Sequence, residues 1–161
     1  MEAERLIALG RQALAESGTA QDIVAEAWQA QALAQAIGNR LALCGPQELR
    51  GEARGLSEIG ESPAWGDGGP RAARLTEVSD PQRALTALGS LLGEVGMALV
   101  GVACATDEEG LYWACIEAID AADESSDRVR GILHRLAVRE GERARPPDRA
   151  RDREGFGRGL S

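Results

Sequence analysis

The stretch Asp80-Pro81-Gln82-Arg83-Ala84-Leu85-Thr86-Ala87-Leu88-Gly89-Ser90-Leu91-Leu92-Gly93-Glu94-Val95-Gly96-Met97-Ala98-Leu99-Val100-Gly101-Val102-Ala103-Cys104-Ala105 decides the fold. Asp80 is a good N-cap and Pro81 suits the first helical position, where a missing N–H costs nothing. Leu85, Leu88, Leu92, Val95, Leu99 and Val102 then follow alternating steps of three and four, the seam of a helical bundle. Leu91, Ala98 and Val100 lie off that seam, so the helix is apolar nearly all round, which predicts a central helix or a membrane span. Its length would suffice for a bilayer. Glu94 stands mid-run, however, no aromatic belt flanks it, and a central acid costs roughly 2.5–3.5 kcal/mol on insertion scales. The reading is therefore a helix packed in protein, with no membrane, and Glu94 is the charge to follow; if buried, it requires an Arg or a capping hydroxyl from a neighbouring helix.

Four glycines interrupt this helix, each costing about 1 kcal/mol against Ala. Gly89 and Gly93 share a face, with Gly96 beside them and Gly101 further on. Such a groove of small residues would admit another helix closely, and the Ala-rich second helix is the expected occupant. Gly89, Gly93 and Gly96 are accordingly candidate interaction residues.

Outward from this segment the pattern stays helical. Leu6, Leu9, Ala13 and Leu14 predict a first helix over about 2–16, and Thr19 caps a second over about 20–43 that carries Ile23, Ala27, Ala30, Ala34, Ile37 and Leu41. Cys44-Gly45-Pro46 stops it, and a weaker helix follows over about 46–60. Residues 61–70 read as a Gly/Pro loop holding Trp65, a candidate contact residue, and a short helix is expected over about 71–78. Thr106 caps a helix over about 107–124, Ser125-Ser126-Asp127 is expected to break it, and a last helix covers about 127–140. The expected fold is all-α: an up-and-down bundle of five to seven helices over residues 1–140, the 80–105 helix at its centre, with a disordered Arg/Asp/Gly/Pro tail over 141–161.

Composition narrows the function classes. The 161 residues are 43% hydrophobic and 27% charged, with a net charge of −8, which repels nucleic acid and anionic lipid. Residues 1–140 hold 22 of the 26 acids and 12 of the 18 bases. Every base is Arg, which removes Schiff-base catalysis and a phosphate-loop lysine. One histidine, His134, leaves no multi-histidine metal site. Neither a GxSxG elbow nor a GxGxxG loop occurs. Cys44, Cys104 and Cys115 are spaced neither as a redox motif nor as a zinc site and are expected to be buried free thiols, which with the absence of a leader pattern suggests the cytoplasm. No cofactor is expected.

One acidic constellation remains. Glu117, Asp120 and Glu124 share a helical face, with Asp123, Asp127 and Glu109 near, and carboxylates so arranged suit Mg²⁺. A metal-dependent all-α phosphohydrolase is thus the alternative to a non-enzymatic interaction or structural module, in which the same face is solvated and pairs with Arg128, Arg130 and Arg135. Attachment to a membrane through helix 80–105 is a third reading. The first choice is an interaction module, engaging a protein partner or a second copy.

Ala3-Glu4-Arg5-Leu6-Ile7, Ile23-Val24-Ala25-Glu26-Ala27-Trp28-Gln29-Ala30, Leu91-Leu92-Gly93-Glu94-Val95-Gly96, Glu109-Gly110-Leu111-Tyr112-Trp113 and Ile116-Glu117-Ala118-Ile119-Asp120-Ala121-Ala122-Asp123-Glu124 together resemble a Streptomyces family classed as a domain of unknown function. The resemblance spans about residues 1–140. It implies an actinobacterial, cytoplasmic source and no activity, cofactor or catalytic residue.

Overall fold

The computed structural model describes residues 1–59, 65 and 68–144. Among these residues five α-helices form a bundle: α1 (Ala3–Ala15), α2 (Ala20–Cys44), α3 (Arg50–Ser57), α4 (Pro81–Ala105) and α5 (Glu109–Ala144). Short 3₁₀ turns precede α3 (Gln47–Leu49) and follow the 61–70 loop (Arg71–Arg74). Most of that loop and the tail beyond residue 144 lie outside the described residues.

The helix starts are local and legible. The Thr19 hydroxyl accepts from Asp22 N at 3.1 Å, and the Asp80 carboxylate accepts from Arg83 N at 3.2 Å with Pro81 at the first position. Each satisfies a backbone donor that the first turn leaves free. The short helix expected over 71–78 is only the 3₁₀ turn. Beyond it the chain extends alongside the start of α1: Thr76 N donates to Met1 O at 2.9 Å and Ala3 N to Glu77 O at 3.0 Å, an isolated parallel bridge.

The expected break at Ser125-Ser126-Asp127 does not occur, and α5 runs unbroken for 36 residues, about 54 Å. Tertiary structure supplies what local propensity lacks. Ser125 is buried and its hydroxyl donates to Gln31 Oε1 at 3.1 Å, while Gln31 Nε2 donates to Ile59 O at 3.0 Å. This relay ties α5 to α2 and to the chain leaving α3, and it leaves both buried polar side chains partnered.

The core is Leu-, Ile- and Ala-rich: Leu6 and Ile7 of α1, Ile37 of α2, Leu56 of α3, Leu85, Leu88 and Leu99 of α4, and Ile132 of α5 are essentially solvent-free. Helix α2 touches all four other α-helices, whereas α4 packs on α1, α2 and α5.

Candidate interaction surface

Helix α4 has a leucine face and a face of mostly small, uncharged residues, with opposite fates. Ala84, Leu85, Leu88, Leu91, Leu92, Val95 and Leu99 are buried. Round the cylinder, Thr86, Ser90, Gly93, Met97, Val100, Gly101 and Cys104 meet solvent. Met97 is 79% exposed and Val100 49%. The helix is long and apolar enough to cross a membrane, yet only 33% of its most apolar window is buried in the bundle. Glu94 sits on the border between the faces. It is half-exposed and takes a two-pronged hydrogen bond from Arg11 of α1, 2.5 Å from Nη2 and 3.1 Å from Nε. That bond, and the charge behind it, raise the Arg11 pKa above its already high value, so Arg11 stays charged.

The glycines of α4 do not receive α2. A Cβ built on Gly93, Gly96 or Gly101 meets no heavy atom within 4 Å, and one on Gly89 meets only Val129 Cγ1 at 3.7 Å. They turn toward solvent because α2 takes the leucine face, where apolar area is greater. The glycine that does permit close approach is Gly38 of α2. A Cβ there would lie 2.8 Å from both Ala53 O and Ser57 N of α3. Nothing in the pattern around Gly38 distinguishes it from the glycines of α4.

The acidic residues Glu117, Asp120 and Glu124 lie exposed along the first half of α5 with Asp123. Because α5 is continuous, the arginines expected to neutralise them lie further along the same helix and serve another partner. Arg135 and Arg128 reach Glu52 of α3 at 3.3 and 3.9 Å, and Arg139 reaches Glu48 at 3.9 Å; Arg130 pairs with Asp127 at 3.7 Å. Among the described residues Glu117, Asp120, Asp123 and Glu124 make no ion pair, and no three His, Cys, Asp or Glu side chains are placed to hold a metal ion.

Trp65 is half-buried and packs against the core, as does Trp28. Tyr112 and Trp113 stand exposed at the start of α5, edge to face with ring centres 5.3 Å apart. Only Cys115 of the three thiols is buried, and burial pushes its pKa up, which keeps it protonated and unreactive; Cys44 and Cys104 are exposed, contrary to the expectation that all three would be covered. They sit near helix ends, beyond the reach of the core. His134 lies on the surface.

Next to the open face of α4, a groove of about 470 Å³ runs between its C-terminal turns, the α1–α2 turn and the start of α5. Ile23, Ala98, Gly101, Val102, Ala105 and Leu111 line it together with residues 17–20 and Thr106, and no lining side chain is charged. Met97 and Gly101 are one helical turn apart, so the groove continues the exposed strip.

Residues 1–135 match the model of a family of unknown function, DUF6099. No curated protein and no solved structure matches the chain.

Proposed function

The chain belongs to the DUF6099 family of unknown function, and we propose that it is a non-enzymatic helical interaction module whose contact surface is the open face of α4. One observation carries this reading: among the described residues, the most apolar helix leaves Met97 and Val100 exposed beside glycines that no other helix occupies. A contiguous apolar strip on a surface otherwise rich in charge is the ordinary mark of a contact site. Glycine on that strip lets an incoming helix approach closely without displacing a side chain.

A protein partner suits the strip better than a bilayer. The opposite face of α4 holds the core, so burying the whole helix in lipid would require the bundle to open. The Arg11–Glu94 pair flanks the strip at mid-length with full charges. The all-arginine basic residues agree with the actinobacterial source implied by the resemblance, and the free thiols agree with work in the cytoplasm.

The test is a photoreactive benzoylphenylalanine placed at position 97 in the native host, with the same group at exposed Arg54 of α3 as control. A discrete crosslinked product from position 97 and none from position 54 is the expected result. A product at twice the chain mass would identify the partner as a second copy. Position 97 giving no more product than position 54 would overturn the proposal.

A further inference from the structure

Resting on that reading, we propose that the groove at the C-terminal end of α4 receives a basic amphipathic helix from another protein, its apolar side chains entering between the start of α2, α4 and α5 and its cations meeting an acidic rim. The groove supplies the apolar half of the recognition: Ile23, Val102 and Leu111 are only partly covered, and Gly101 and Ala105 leave space above the α4 backbone. Its volume holds a few large side chains rather than a whole helix, the way anchors at successive turns enter a groove.

Charge selects the occupant. Glu16 and Asp22 flank the α1–α2 turn, and Asp107, Glu108 and Glu109 follow Thr106, the last α4-side residue of the lining. All five are exposed, and among the described residues none is in an ion pair. No base occurs between Arg11 and Arg40 or between Arg83 and Arg128, and Arg11 is already engaged by Glu94. Helices α4 and α5 therefore bring this end of the bundle only negative charge, which Glu117 and Asp120 extend along α5. A cationic helix meets complementary potential here, whereas nucleic acid and anionic lipid are repelled. A second copy docking by the same end would set acids against acids. Of its arginines on the far half of α5, Arg128, Arg135 and Arg139 are held by Glu48 and Glu52.

Calorimetric titration of the full chain tests this with three probes: a synthetic Leu/Lys amphipathic helix of about five turns, its Leu/Glu counterpart, and phosphatidylglycerol vesicles. The Leu/Lys helix is expected to saturate one to one and to weaken with added salt. Gly101→Leu, which fills the groove from an open helical position, should weaken it by about tenfold or more. Glu108→Gln with Glu109→Gln should weaken it several-fold without touching the apolar floor. Failure of the Leu/Lys helix to saturate, equal affinity in both variants, or equal binding of the Leu/Glu helix or the vesicles would each overturn the proposal. If the crosslink from position 97 persists in that case, the interaction module stands and only the class of partner falls; if both fail, the module falls with it.

Discussion

One face of α4 is leucine and forms the core, and the other is Met97 and Val100 set among small residues and forms surface. Leu85, Leu88 and Leu99 are fully enclosed, while Met97 and Val100 project from the same 25-residue helix into solvent. The leucine face is the more apolar and takes the neighbours, while Met97 and Val100 are apolar side chains left open on a face otherwise made of small residues. Helices α1, α2 and α5 close around one side of α4, and among the described residues no further helix covers the other. Composition thus shows that a helix must be covered, and connectivity shows how much of that cover the chain supplies itself.

The sharpest break of this contrast comes from paired truncations. Leu88→Ala should destabilise the fold by about 2–5 kcal/mol, the loss of transfer free energy plus a residual cavity. Met97→Ala should fall within about 0.5 kcal/mol of wild type in the isolated chain. Denaturant unfolding by circular dichroism measures both. If Met97→Ala costs as much as Leu88→Ala, the second face is covered in solution and the contrast fails.

Glycine provides the next largest effect, with opposite signs in two helices. Gly38→Ala places a Cβ against backbone atoms of α3, which cannot move aside as a flexible side chain would, and should cost about 1–3 kcal/mol. Gly93→Ala adds a methyl group in open space and should stabilise by about 1 kcal/mol through helix propensity. Should Gly93→Ala instead destabilise, a helix already lies on that strip and the open face is closed by self-association, which light scattering would show directly.

This reversal explains what the sequence could and could not convey. Caps depend on residues within one turn, so Thr19 and Asp80-Pro81 could be read correctly from a few neighbours. The heptad leucines of α4 are likewise a local pattern with one meaning. Gly38 and Gly93 are locally equivalent, and only the placement of α3 tells them apart. Ser125 has the propensity of a breaker, and its retention inside α5 depends on Gln31, 94 positions away. The acidic face misled for the same reason: once α5 is continuous, Arg128 and Arg135 turn to Glu52, and Glu117, Asp120 and Glu124 are left unpaired. The groove was illegible because three separate segments build it, none of them unusual alone.

The smallest effect lies on the border between the two faces. The sequence asks for an arginine or a hydroxyl beside Glu94 if that residue is buried; it has the arginine, but at the surface. The Arg11–Glu94 bond has good two-pronged geometry, while water reaches both ends, so screening should remove most of its contribution. Glu94→Gln should lower the melting temperature slightly at low salt and leave it unchanged near 1 M salt, where the Debye length is about 3 Å. A loss that persists at high salt would mean that Glu94 is shielded from solvent, hence that something covers this edge of α4. Because the bond raises the Arg11 pKa and Arg11 stays charged, the same comparison at pH 6 and pH 8, roughly one unit either side of neutrality, should give the same difference; a pH-dependent difference would place a further titrating group against the pair.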